Sequence, residues 1–162
     1  MRLIVAVCLS IFLCGCQTQS ADNDTPAKSR EQKSGSSLNP NDDNFDPVAF
    51  KRRIFKNWTP PVVDESEVSK HPLGSENNPL RSQGVKGEHS YLQRLECPNG
   101  VPVSYERLGS GGISPWQFLM DIYRVECGKD LSFRIYMDLY HPGHIEKQPV
   151  AGMNIRAIGE AE

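Results

Sequence analysis

The stretch Leu131–His141, LSFRIYMDLYH, decides the fold class. Leu131, Phe133, Ile135, Met137 and Leu139 alternate with Ser132, Arg134, Tyr136, Asp138 and Tyr140. That is the two-residue period of a strand with one buried and one more polar face. Gly128-Lys129-Asp130 precedes it as a turn, and another strand fits within Trp116–Cys127, best from Phe118 onward. Two more strands are expected upstream, His89–Cys97 (HSYLQRLEC) and Val101–Leu108 (VPVSYERL). Pro102 sits at the beginning of the latter, where a missing donor is tolerable. Pro98-Asn99-Gly100 and Gly109-Ser110-Gly111-Gly112 read as turns. The sum is an α+β domain: a small antiparallel β-sheet of about four strands, meander-like, with one short N-terminal amphipathic helix.

That helix is marked by Asp46, able to cap, and Pro47, suited to the first helical position. It is expected over Val48–Trp58, stopped by Pro60-Pro61. At about 100° per residue, Val48, Phe50, Ile54, Phe55 and Trp58 share one side. Arg52, Arg53 and Lys56 lie opposite, with Lys51 among the apolar group. Such a helix either docks on its own domain or lies on a membrane or partner. Docking is the expectation, because packing is the usual source of helix stability. Thr59–Glu88 holds Pro60, Pro61, Pro72 and Pro79 and reads as a long loop. It is expected to be partly ordered on the sheet through Val62, Val63, Leu73 and Leu80.

Residues 17–44 have no aromatic residue and only Ala21, Ala27 and Leu38 as aliphatics. Such a segment cannot bury enough apolar surface to offset its ordering entropy, so it reads as a disordered tether. Ahead of it, Met1-Arg2 is followed by the apolar run Leu3–Leu13, broken only by Ser10. The run is too short for a spanning helix, which needs about 20 residues, and fits a cleaved secretory signal.

Leu13-Cys14-Gly15-Cys16 resembles the lipobox of bacterial lipoproteins. Leu13 takes the aliphatic position, Cys14 and Gly15 the small pair, and Cys16 the acceptor. The resemblance implies a signal peptide over 1–15, a diacylglyceryl thioether on Cys16 and a further acyl chain on its amine. Gln17 stands where an Asp would favour inner-membrane retention, so the implied address is the periplasmic face of the outer membrane. The implied organisation is signal peptide 1–15, lipidated Cys16 and tether 16–44, and one periplasmic domain over 45–162. The bacterial membrane is then a partner through the lipid on Cys16.

The composition agrees with a single domain: 162 residues, 38% hydrophobic, 23% charged, net charge −2. It excludes a collagen, a wholly disordered chain and a polytopic membrane protein. It shows no basic excess, and a nucleic-acid partner is not expected. Of five Cys, Cys8 and Cys14 leave with the signal and Cys16 takes the lipid. Cys97 and Cys127 remain in a compartment where disulfides persist, and are expected to pair. A flat meander would hold them about 9.5 Å apart, beyond the reach of a bridge. The first strand must therefore curl out of plane, or the strand order must differ.

The densest chemistry lies in Asp138–Glu146. Pro142-Gly143 suits a type II turn that would bring His141 and His144 within about 7 Å at Cα. With Glu146 or Asp138, and with His71 or His89 added by folding, the two would be weak metal candidates. A structural or general binding role is the expectation instead. Asp121, inside an apolar run, is expected to face water, with Arg124, Arg107 or Arg94 as possible ion-pair partners. The chain has no G-x-S-x-G, H-E-x-x-H, Walker or C-x-x-C pattern, so no enzyme and no cofactor are expected.

The functional expectation is a lipid-anchored envelope protein whose non-catalytic domain binds another macromolecule, a protein or an envelope polymer. Its contact surface is expected at Tyr140, His141, His144, Glu146 and Arg81. Alternatives are a periplasmic inhibitor or immunity protein facing a lysozyme-like or toxin enzyme, and a metal-binding protein or hydrolase using the His141/His144 turn.

Overall fold

The alternation in Leu131–Asp138 does form a strand, and every residue of it pairs antiparallel with the strand Leu119–Cys127. The computed structural model describes residues 37–159. The expected signal peptide, Cys16 and the expected tether up to residue 36 lie outside the described residues. In chain order the elements are α1 (Pro47–Ile54), α2 (Glu65–Val68), β1 (Leu80–Gln83), α3 (Gly84–Arg94) and β2 (Leu95–Glu96). They continue as β3 (Ser104–Ile113), β4 (Leu119–Cys127), β5 (Leu131–Asp138), β6 (Tyr140–Ile145) and β7 (Asn154–Ile155).

The class is α+β, but the sheet is not a four-strand meander. Five strands run in the order β3-β4-β5-β1-β6, and β2 and β7 form a separate pair. Strand β1 comes from the segment expected to be loop. It inserts between β5 and β6, parallel to β5 and antiparallel to β6. Leu80, expected to pack on the sheet, is fully buried as part of it, Ser82 is buried beside it, and Leu73 packs against the core. Val62, expected to pack on the sheet, is instead fully exposed.

The expected first strand, His89–Cys97, is mostly helix. Glu88, Tyr91, Leu92 and Leu95 recur at helical spacing and all are buried. That face packs with Leu80, Tyr123, Val125, Ile135 and Met137 to make the core. The glycine run is also not a turn. Residues 109–112 belong to β3, whose register to β4 shifts between Arg107 and Gly109 and again between Ser110 and Ile113. Gly109 and Gly112 adopt positive φ there, as bulges favour. A Cβ on Gly111 would stand 2.8 Å from Ile122, so side chains of the neighbouring strands close over it.

Helix α1 begins as its signals predict. Asp46 accepts hydrogen bonds from the backbone N–H groups of Val48 and Ala49, and Pro47 opens the helix. It ends at Ile54, not Trp58, and none of its residues is fully buried. Residues 37–44, read as the end of the tether, fold back as turns onto the start of α3. Gln83 donates to Asp43 at 2.9 Å, and the side-chain oxygen of Asn41 accepts from Lys86 N–H at 3.4 Å.

Cys97 and Cys127 are joined, with Cα atoms 5.7 Å apart. The expected obstacle vanishes because Cys97 lies outside the large sheet, just after α3 and β2. Asp121 does not face water. It is buried, and Arg107 donates to both its carboxylate oxygens at 2.6 Å.

Candidate binding groove

Strand β6 explains how the His141 turn is built. Gln83 of β1 pairs with Tyr140 and the adjacent Ser82 pairs with Ile145, so residues 141–144 bulge out of the ladder. Gly143 has φ +74°, which suits the position in a type II turn that favours glycine. Its N–H donates to the Gln83 side chain at 2.7 Å, which pins the bulge to β1.

The two histidines diverge. His141 Nε2 lies 3.1 Å from Asp138 Oδ2, within ion-pair distance but off the line of a good hydrogen bond. Asp138 is fully buried, and its other oxygen accepts from the Tyr140 N–H at 3.0 Å. His144 Nε2 lies 3.5 Å from Glu146, at the outer limit of a hydrogen bond. Contact with His144, aided by the N–H groups of Gln148 and Lys147, holds the Glu146 carboxyl down at about 2. The two backbone bonds, both 2.9 Å, are the well-formed part of that set. Among the described residues no group of three or more His, Cys, Asp or Glu is arranged to hold a metal ion. His71 and His89 are not drawn to the turn; His89 packs against Tyr105 and Tyr123.

What the bulge does join is a set of aromatic rings. Tyr140 lies between Phe118, stacked at 5.0 Å, and Phe50 of α1, at 6.0 Å. Burial, and next the Asp138 carboxylate, push the Tyr140 phenol up, so it stays protonated at neutral pH. Phe118 carries Trp58 at 5.9 Å, and Trp116 meets His141 edge-on at 4.9 Å. Arg81 lies 5.1 Å from the Trp116 ring and Lys51 lies 5.3 Å from Phe118, both cation–π distances.

These rings and the proline segment after α1 enclose a groove of about 390 Å³. Trp58, Pro60, Pro61, Trp116, Phe118, Tyr140 and His141 line it, with Pro47, Val48, Pro142 and His144 at its margins. The lining has no Ser, Thr or Cys to act as a nucleophile beside His141. A largely apolar groove with a few polar groups suits binding.

The turn between β3 and β4 sets one wall. Ser114 N–H donates to the Phe118 carbonyl and Gln117 N–H to the Ser114 carbonyl, both at 2.8 Å. The Ser114 hydroxyl also accepts from the N–H groups of Trp116 and Phe118. Gln117 takes φ +63°, a left-handed conformation that closes such turns.

Of the residues expected at the contact surface, Tyr140 and His141 lie in the groove and His144 at its edge. Arg81 reaches it by way of Trp116. Glu146, together with Arg81 and His144, lines a second cavity of about 330 Å³ beside α3. There Arg94 gives its donors to the carbonyls of Ser90, Arg156 and Glu146. Sequence reading missed Trp58, Trp116 and Phe118 as site residues. The available signal was two tryptophans beside prolines, Trp58 before Pro60-Pro61 and Trp116 after Pro115. No protein-family model matches this chain, and no curated protein or solved structure is significantly similar to it.

Proposed function

We propose that this chain is a lipid-anchored envelope protein whose small α+β domain binds another macromolecule, a protein or an envelope polymer, in the aromatic groove. The observation that carries the reading is the groove itself. Trp58 and Trp116, each half-buried, present ring surface beside Pro60 and Pro61. Large rings with few rotatable bonds give contact area at low entropy cost, and rigid prolines reduce what binding must order. The N-terminal Leu13-Cys14-Gly15-Cys16 supports the anchor, and Gln17 supports the outer membrane as its site.

Trp116→Ala tests the groove. It removes a wall whose neighbours are His141 and Arg81, leaving the core untouched. Recovery of crosslinked partner from the native envelope is expected to weaken by roughly 1–3 kcal/mol, with little change in Tm. Full recovery by a folded Trp116→Ala protein would remove the groove from the binding site. Cys16→Ser tests the anchor: the product is expected to be unprocessed or released from membranes, and unchanged processing and fractionation would refute it.

A further inference from the structure

We propose that the C-terminal end of α1 with the two residues that follow it, Lys51–Lys56, is a membrane-docking patch that lays the domain against an anionic phospholipid surface. The inference rests on residues 52–56, none of which lines the groove, with Lys51 lying between this patch and the groove ring Phe118, and it stands whether or not Cys16 carries lipid. An amphipathic helix that had docked on its own domain would have buried its large apolar residues. Here Phe50 turns inward to Phe45 and Tyr140, but Ile54 and Phe55 remain 56% and 53% exposed.

The residues that flank them directly in sequence, Arg52, Arg53 and Lys56, are all cations. The six residues KRRIFK contain Lys51, Arg52, Arg53 and Lys56 and no carboxylate. Among the described residues no carboxylate lies within ion-pair distance of Arg52, Arg53 or Lys56. Lys51 lies 5.2 Å from the Phe55 ring, so cation and apolar surface form one continuous patch. The chain as a whole carries a net charge of −2, so this concentration is local and not a consequence of composition. Two exposed apolar side chains among four cations match the layering of a membrane interface. The apolar groups enter the acyl boundary, and the cations meet lipid phosphates. A purely acidic protein surface would satisfy the cations but leave Ile54 and Phe55 without an apolar partner.

The test places a photoreactive benzoylphenylalanine at Phe55 in the full chain, reconstituted into neutral phosphatidylcholine vesicles or into vesicles also containing phosphatidylglycerol. Co-flotation with both kinds of vesicle reports the anchor separately. Lipid adducts at position 55 are expected to rise about tenfold in anionic vesicles, and the same label at exposed Val101 is expected to show no rise. Arg52→Glu with Arg53→Glu is expected to cut the position-55 adduct about 10–30-fold. Salt at about 0.5 M should do much the same, because screening shortens to a few ångströms. Equal adducts in neutral and anionic vesicles, or adducts that survive charge reversal, would overturn the proposal. So would attachment to an acidic protein or polymer instead of lipid when both are offered.

Discussion

The indole Nε1 of Trp58 donates a 2.8 Å hydrogen bond to the side-chain oxygen of Gln117, 59 residues away in sequence. This bond ties the segment after α1 to the turn that joins β3 and β4, and so closes one side of the aromatic groove. Gln117 makes it from a left-handed backbone conformation, which costs a residue with a Cβ about 1–2 kcal/mol. A strained residue whose side chain braces the groove links local backbone cost to the shape of the site.

Gln117→Gly separates those two effects. The backbone relaxes, so global stability should stay within about 1 kcal/mol of the parent. Trp58 loses its partner, so its indole should become more open to a soluble quencher such as acrylamide. Unchanged quenching would mean that the bond does not hold Trp58 in place.

Glu88 sets a pH dependence. It is fully buried beneath the sheet, with one oxygen accepting from the Tyr123 hydroxyl at 3.1 Å. Burial, and next the Asp121 carboxylate, push its carboxyl from an ordinary 4.5 up to about 8. Between those values the folded chain keeps a proton that the unfolded chain releases. Stability from this group is therefore full below about pH 4.5 and is lost as pH rises through about 8. The total is roughly 3–5 kcal/mol. Glu146 acts in the opposite sense: its lowered carboxyl supports stability above about 4.5, and this is lost as pH falls toward about 2. Chemical denaturation across this range should show the decline between about pH 4.5 and 8 in the parent and its near absence in Glu88→Gln. A decline of equal size in both proteins would place its origin elsewhere.

Reduction of the Cys97–Cys127 bridge gives a third expectation. The bridge closes a loop with a sequence separation of 30 residues. In the chain-entropy model this is worth about 3–4 kcal/mol, so reduction should lower Tm markedly. Non-reducing peptide mass spectrometry should show the linked pair. Two fully reactive thiols in freshly isolated protein would contradict it.

The parts of the fold that could be read in the sequence are those whose pattern matches a single period. β5 shows strict alternation, and the cap at Asp46-Pro47 is a local chemical signal. The errors have physical causes. In His89–Cys97, Tyr91, Leu92 and Leu95 suit a helix face, but Leu95-Glu96-Cys97 alternates as a strand does, and Leu95–Glu96 is indeed the short strand β2. Gly109–Gly112 resembles a turn because bulges and turns both draw on positive φ. β1 is only four residues long and is defined by its neighbours β5 and β6, which no local pattern reveals. The site was half legible for the same reason. The Pro142-Gly143 bulge is local, whereas Trp58 and Trp116 meet the Tyr140–His141 segment only through the tertiary fold. Replacing His141 would leave the buried Asp138 carboxylate without its neighbour at 3.1 Å, so Trp116 is the cleaner probe of the groove.

The groove is tested most directly by a photoreactive side chain at Pro61, on its wall, compared with one at Lys129 in the turn at the far end of β4. The account predicts that irradiation in the native envelope gives a discrete macromolecular adduct from position 61 that is absent from position 129. Adding Trp116→Ala should lower the yield of that adduct at least about fivefold. The same adducts from both positions, or an adduct from position 61 undiminished in the folded Trp116→Ala protein, would contradict it.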